Sequence, residues 1–154
     1  MRILFLSFYY PPDLCAGSFR SKSLIDALKK QDGSAVIDIL TTIPNRYKSF
    51  TKNSLEFENH EGVTIRRIEL PHHKSGMFDQ SKAFLKYFVN VLKFIRGKDY
   101  DLVFATSSRL MTAFLGARIS KKIGKPLYLD IRDIFTDTMS NILSPKIAIL
   151  INPL

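Results

Sequence analysis

The sequence predicts a doubly wound α/β fold, in which a parallel β-sheet carries helices on both faces. Three observations support this prediction. Short apolar runs rich in β-branched residues alternate along the chain with longer segments of helical periodicity. Each helical segment lies between two such runs, an order that implies right-handed crossovers between parallel strands. The first run is followed by a loop of about ten residues, and long loops in compact domains tend to be functional.

The chain opens with a predicted strand, a long loop and a helix. Arg2 to Ser7 is almost wholly apolar, which is typical of a strand buried on both faces. Phe8 to Gly17 contains a Pro-Pro pair and a glycine and is predicted as a loop. Ser18 to Lys30 has the spacing of an amphipathic helix, with Ser18 as its N-cap. Ligands of open α/β sheets bind at the carboxyl ends of strands, so this loop is expected to line a site.

Four more strands and two more helices are predicted. The strands are Ala35–Thr42, Gly62–Leu70, Asp101–Thr106 and Pro126–Ile131, and the helices are Phe78–Arg96 and Leu110–Ile123. We expect Ile3 to Leu6 at the centre of the sheet. One edge is expected to gather the loops Phe8–Gly17, Ile43–Ser54 and Arg132–Thr138. Ile147 to Ile151 has the pattern of an apolar helix that has only begun, so we expect residues 1–154 to be one domain of a longer protein.

Composition narrows the class of protein. With 154 residues, of which 45% are hydrophobic, the chain is long enough to bury a core as one domain. Its single cysteine, Cys15, excludes a disulfide framework. No apolar run approaches the roughly 18 residues that span a bilayer. The formal net charge of +9 favours an anionic partner, whether a phosphorylated substrate, a membrane surface or nucleic acid.

Several common ligand motifs are missing from the sequence. It contains no G-x-x-x-x-G-K-[ST] loop, and its first loop has one glycine where a dinucleotide site has G-x-G-x-x-G. His72 and His73 stand alone on a predicted loop, so no metal site is expected. Basic residues are scattered and no nucleic-acid motif accompanies them, which argues against nucleic acid as the partner.

Five short motifs occur along the chain in a fixed order. They are M-R-I-L-F-L-S, Y-Y-P-P-D followed by Ala16-Gly17 and Arg20, T-T-I-P-N at Thr41 to Asn45, E-G-V at Glu61 to Val63, and D-I-R-D-I-F-T-D at Asp130 to Asp137. In this order they resemble the family-4 glycosyltransferases, and most closely the branch that builds bacterial capsules and O-antigens. The family more often has tryptophan-proline where Phe135-Thr136 stands here.

The resemblance implies a GT-B enzyme, in which two Rossmann-like domains face a cleft. Residues 1–154 would be its N-terminal, acceptor-side domain, and the donor-binding domain would be absent, so this chain alone is expected to be inactive. The implied enzyme is a retaining hexosyl or N-acetylhexosaminyl transferase. It takes a nucleotide-sugar as substrate, needs no cofactor and no metal, and acts on a saccharide acceptor linked to a lipid diphosphate. It would be cytoplasmic and peripheral at the inner face of the plasma membrane.

Site residues follow from the resemblance position by position. Gly17 and Ser18 would bind the donor diphosphate, because free N–H groups at a helix N-terminus stabilise negative charge. The simpler interpretation is that Gly17 ends the loop and Ser18 caps the helix. Acceptor binding is expected at four residues: Arg20, Asn45, Arg46 and Asp130.

Two further residues at the end of the last strand are the catalytic candidates. Asp133 would orient or deprotonate an acceptor hydroxyl, and Arg132 would hold a phosphate or pair with Asp133. The plainer interpretation is that Asp133 caps the following helix and Arg132 neutralises it.

The helix Phe78–Arg96 has an apolar arc wider than one sheet face requires. Its polar side is a narrow stripe at spacings of four and three, formed by Lys82, Lys86, Asn90 and Lys93. Either a second element buries the excess apolar surface, or the surface meets an anionic membrane with the lysines at the headgroups.

The sequence is also compatible with a function of another class. The chain is alternatively a free-standing basic α/β module that binds acidic lipid or nucleic acid through its positive charge. A second Rossmann-like half in the intact gene would favour the enzyme.

Overall fold

The computed structural model describes residues 1–44, 54–71, 77–107 and 109–131. Within these ranges the chain forms six strands and three helices. In chain order they are β1 (Arg2–Leu6), α1 (Ala16–Gln31), β2 (Val36–Thr42), β3 (Phe57–His60), β4 (Val63–Ile68), α2 (Met77–Phe94), β5 (Leu102–Thr106), α3 (Leu110–Ile123) and β6 (Leu127–Asp130).

One sheet contains all six strands, in the order β3-β4-β2-β1-β5-β6. Five neighbouring strands of the sheet, β4, β2, β1, β5 and β6, pair in parallel. This pairing confirms the doubly wound α/β fold and places β1 at the centre. The order reverses beside β1, so β2 lies on one side of it and β5 on the other. In such sheets the ligand site lies outside the carboxyl ends of the strands at this reversal.

The edge strand β3 departs from the predicted parallel sheet. It runs antiparallel to β4, with His60 opposite Val63 across a two-residue turn. Both turn residues have positive φ, 46° at Glu61 and 83° at Gly62. A type I′ hairpin turn requires positive φ at both positions, and a glycine supplies one of them without strain. The sequence analysis did not predict this strand, and β3 adds an antiparallel edge to the predicted parallel sheet.

The core forms on both faces of β1 because successive side chains point to opposite sides. Leu4 and Leu6 belong to a cluster that includes Tyr87 of α2 and Leu115 of α3. Ile3 and Phe5 pack on the other face, in the cluster that contains Ile25 of α1 and Phe104. These four of the five β1 side chains are fully buried. At about 1.5–3 kcal/mol for each large apolar side chain, this burial is the main driving force for the fold.

Helix α1 begins two residues earlier than the sequence predicts. Its N-cap is Cys15, whose side chain makes no capping hydrogen bond. Ser18 lies in the first turn instead, so the prediction that Ser18 caps this helix is wrong. Helix α3 ends as predicted, at Gly124 in the left-handed conformation with φ 65°. Within the described ranges, none of the helices combines the length and apolar content that crossing a bilayer requires.

Candidate functional site

Polar side chains are buried together where the central strands end. Ser7 follows β1, Thr41 and Thr42 end β2, Thr106 ends β5 and Asp130 ends β6. All five residues are almost fully inaccessible to solvent. The long loop from Phe8 to Cys15 leaves the sheet at this edge and leads into α1, so the carboxyl edge is the candidate site that the topology predicts.

Ser7 links the end of β1 to both the loop and the helix. Its Oγ donates a hydrogen bond of 2.7 Å to the Tyr9 carbonyl and lies 3.1 Å from Ser21 Oγ. The Ser21 hydroxyl also donates a bond of 2.8 Å to the Gly17 carbonyl. The Thr42 hydroxyl donates a bond of 2.7 Å to the Phe8 carbonyl. These contacts hold the first turn of α1 against the strand ends.

Gly17 and Ser18, the predicted donor-binding residues, are both buried in the first turn of α1. The Ser18 N–H donates to the Cys15 carbonyl at 3.0 Å, so that amide is already used within the helix. The Ser18 hydroxyl is different: it is buried, and no hydrogen-bond partner for it exists among the described residues. A buried hydroxyl without a partner costs about 1–3 kcal/mol, and an incoming ligand can remove this cost. No acidic residue lies in this turn, which favours an anion there.

Arg20 and Asp130, two of the predicted acceptor residues, contact each other directly. Arg20 Nη2 donates to Asp130 Oδ1 at 2.8 Å and Nε donates to Oδ2 at 3.1 Å, which is a bidentate pair between α1 and the end of β6. The Asp130 side chain is only 9% exposed, whereas that of Arg20 is 63% exposed. The hydrogen bonds that Arg20 donates to Asp130, together with the negative charge of that carboxylate, raise the pKa of Arg20. The pair positions the Asp130 carboxylate at the site edge.

Arg67 anchors the same loop from the β4 side. This arginine is buried and donates to the Pro11 carbonyl at 2.7 Å and to the Leu55 carbonyl at 2.8 Å, and it also pairs with Glu58. The sequence showed an arginine pair at the end of this strand but did not reveal that one of the two would be buried. Its contacts with loop carbonyls make it a structural residue that fixes the shape of the site.

Arg109 is a residue that the sequence analysis missed. It directly precedes α3, and its Nε and Nη2 donate to the Tyr9 hydroxyl at 3.1 and 2.9 Å. Its guanidinium lies 4.6 Å from the centroid of the Phe8 ring. Within the described ranges it has no carboxylate partner. The available signal was a basic residue three positions after β5, a strand that ends at the site edge, and directly before α3.

Helices α2 and α3 enclose an apolar groove of about 830 Å³ beside Arg109 and Tyr9. Its apolar lining comes from both helices: Phe84, Leu85, Phe88, Leu110, Met111 and Phe114. Tyr87 and Val91 are fully buried in the core, whereas Leu85 and Leu110 are more than half exposed. One part of the wide apolar arc of α2 is therefore buried in the core, and another part lines this groove.

The polar stripe of α2 lies on its other side. Lys86, Asn90 and Lys93 line a second groove of about 490 Å³, together with Arg66 and Glu69 from the end of β4 and its continuation. This groove carries charges of both signs, since Glu56 lines it as well. These three residues of the stripe thus face the β4 side of the sheet.

The remaining predicted site residues lie outside the described residues. These are Asn45, Arg46, Arg132 and Asp133. In the described part of the chain, no cluster of three or more His, Cys, Asp or Glu side chains is arranged to hold a metal ion.

Comparison with known proteins finds structural likeness only. No protein-family model and no curated protein matches the chain. Two crystal structures of the C-terminal domain of a hydrogenase from Pyrococcus furiosus are similar at 14% identity, with TM-scores of 0.54 and 0.53. These alignments cover 84% and 83% of this chain and 89% of the other.

A further similar structure is a ugt transferase from Siraitia grosvenorii in complex with UDP, at 14% identity and a TM-score of 0.48. That alignment covers 92% of this chain and 27% of the other. At these identities the likeness shows the Rossmann-like α/β fold alone.

Proposed function

We propose that residues 1–154 form the N-terminal, acceptor-side domain of a two-domain GT-B glycosyltransferase that belongs to cell-surface polysaccharide synthesis. The observation that supports this most is the first turn of α1, where the buried Ser18 hydroxyl has no partner among the described residues. It lies on the helix that also carries Arg20, whose side chain pairs with Asp130 at the strand ends. The resemblance of the sequence motifs to family-4 glycosyltransferases is the basis for proposing this particular reaction.

The proposed donor role rests on charge development during the reaction. As the glycosidic bond of a nucleotide-sugar breaks, negative charge grows on the leaving diphosphate. The positive end of the α1 dipole and the Ser18 hydroxyl stabilise this charge, and Gly17 allows the diphosphate to approach the backbone closely. A hydrogen bond that forms only as this charge develops lowers the activation barrier, whereas one that forms equally in the ground state only tightens substrate binding.

The acceptor role falls to the polar residues around Asp130. Arg20 holds both carboxylate oxygens of Asp130 in a bidentate pair, and this fixed carboxylate is the group that recognises the sugar hydroxyls of the acceptor. The family resemblance adds Asn45 and Arg46 as acceptor-binding residues, Asp133 as the residue that orients the attacking hydroxyl and Arg132 as the residue that binds a phosphate of the acceptor. We propose a saccharide linked to a lipid diphosphate as the acceptor, and peripheral contact with an anionic membrane.

The decisive experiment separates catalysis from stability at Ser18. In the full-length enzyme, Ser18→Ala should lower kcat by roughly 10- to 100-fold, because it removes a donor to the developing charge. The same substitution should leave the free energy of unfolding of residues 1–154 unchanged or higher, because it deletes a buried hydroxyl that has no partner.

Ser23→Ala is the matched control, since Ser23 is exposed on the same helix. Gly17→Val should also cost turnover more than stability. Equal turnover of Ser18→Ala and wild type would contradict the donor role. Sugar transfer by residues 1–154 alone would contradict the two-domain proposal.

The second candidate is a free-standing basic module for acidic lipid or nucleic acid. Only the net charge of +9 favours it. Failure of the full-length protein to turn over any nucleotide-sugar, together with salt-sensitive binding to acidic vesicles or duplex DNA, would favour this candidate over the enzyme.

A further inference from the structure

The groove between α2 and α3 differs from an ordinary surface depression in having a single charged group at one end. Of the described residues that line it, Arg109 alone is charged. The polar residues Tyr9, Gln80 and Ser81 lie at the same end, and the rest of the lining is aliphatic or aromatic. Its volume of about 830 Å³ lies within the usual range of small-molecule sites, about 300–1,000 Å³.

Arg109 is held in place without being neutralised. Two of its nitrogens donate to the Tyr9 hydroxyl, and its guanidinium stacks against the Phe8 ring. A third nitrogen lies 3.5 Å from Gln80 Oε1. None of these partners carries a negative charge, so the cation is positioned at the mouth of an apolar groove while its charge stays available.

The apolar part of the groove extends away from this cation. Along α2 the lining runs from Gln80 to Phe88, which at 1.5 Å per residue is about 12 Å. Leu85, Leu110 and Phe114 are each more than half exposed, although large apolar side chains gain free energy from burial. A ligand with an apolar chain would cover all three.

We propose that this groove binds a single-chain anionic lipid, with its phosphate on Arg109 and its chain between α2 and α3. The charge complementarity of one cation at the end of an apolar channel favours a ligand with one anionic head and one apolar tail. If the proposed glycosyltransferase function holds, the ligand is the lipid part of the acceptor. The binding test involves no sugar transfer, so the two proposals can fail separately.

The test is direct binding of farnesyl phosphate and of farnesol to the 154-residue chain, below micelle formation. Both probes have the same chain, and only the first is charged. We expect the wild type to bind farnesyl phosphate about tenfold more tightly, since hydrogen bonds to charged groups are among the stronger ones. Arg109→Gln should remove this preference. Phe114→Asn should lower the affinity for both probes by a similar factor.

Matched controls come from the same chain. Arg118→Gln removes a positive charge from an exposed position of α3, and Phe57→Asn changes a phenylalanine that is 53% exposed, close to the 55% of Phe114. Both controls should bind like wild type. Circular dichroism verifies that each variant is folded.

Three outcomes would overturn the proposal. The first is equal affinity of the wild type for the two probes. The second is an equal loss of binding in Phe114→Asn and Phe57→Asn. The third is a chain that sediments as a dimer and is unaffected by farnesyl phosphate, which would assign the groove to a second copy.

Discussion

At the scale of single residues, the protein contains two polar networks at opposite ends of its sheet. The network at the carboxyl edge joins Ser7, Ser21 and the first turn of α1. The other surrounds Asp38 of β2, which is buried and accepts hydrogen bonds from Arg2 at 2.9 Å and from Tyr100 at 2.8 Å. Among the described residues, the first turn of α1 contributes a buried hydroxyl without a hydrogen-bond partner, that of Ser18, to the first network. The second network lies at the other end of the sheet, so it is a suitable place to probe stability without touching the candidate site.

Removing the Tyr100 hydroxyl should destabilise the domain. Tyr100→Phe leaves the buried Asp38 carboxylate with one donor fewer, and we expect the free energy of unfolding to fall by about 1–3 kcal/mol. Urea unfolding followed by circular dichroism measures the change. Tyr128→Phe is the control, because Tyr128 is exposed on β6 and its hydroxyl has no hydrogen-bond partner within the described ranges. Equal effects of the two substitutions would show that the hydroxyl of Tyr100 contributes nothing specific.

At the scale of elements, the packing of α3 on β5 depends on one glycine. Gly116 is buried, and a Cβ added there would lie 2.5 Å from Ala105 Cβ on β5. Real Cβ atoms do not approach so closely, so the helix would have to move away from the sheet. Because α3 also carries Leu110, Met111 and Phe114, such a shift would alter the apolar groove as well.

Gly116→Ala should therefore destabilise the domain, although alanine is the better helix former. We expect a loss of about 1–3 kcal/mol in the free energy of unfolding, as for other overpacked cores. Gly33→Ala is the matched change: Gly33 has no positive φ, and the nearest atom to an added Cβ is 4.0 Å away. A Gly116→Ala variant as stable as wild type would show that the helix adapts to the methyl group without cost.

At the scale of the whole molecule, buried tyrosines make the free energy of unfolding depend on pH. Tyr87 donates to the Leu40 carbonyl at 2.8 Å from a fully buried position, and Tyr100 donates to Asp38. Burial raises the pKa of both hydroxyls well above the ordinary value of about 10. The hydrogen bond to Asp38 and its negative charge raise the pKa of Tyr100 further.

The sign of the pH effect follows from these raised values. Below pH about 10, both tyrosines are protonated in the folded and the unfolded state, and their contribution to stability is fully present. As the pH rises further, only the unfolded chain releases the protons, so stability falls by about 1.4 kcal/mol per pH unit for each tyrosine. Urea midpoints at rising pH measure this slope. Tyr87→Phe should reduce the slope, and a slope equal to that of wild type would contradict the assignment.

The sequence by itself determined the α/β class and the order of its main elements. Apolar runs of strand length and helices of period 3.6 are local patterns, and burial on β1 requires Ile3 to Leu6 to be apolar on both sides. The sequence also indicated the carboxyl edge as the candidate site, since parallel strands end on the same side. The strand β3 escaped prediction because a short edge strand is stabilised by its partner rather than by a pattern of its own.

Only the tertiary structure decided which side chains meet at that edge. Arg20 and Asp130 are 110 residues apart in the chain, and Arg109 is 100 residues from Tyr9, so no local spacing predicts either contact. The start of α1 also depends on such contacts. Ser18 is a residue type that often caps helices. However, the loop packs on Ser7 and Ser21, and the helix starts at Ala16 with Ser18 buried in its first turn. Contacts between distant segments depend on how the helices pack on the sheet, and this packing is a property of the whole fold.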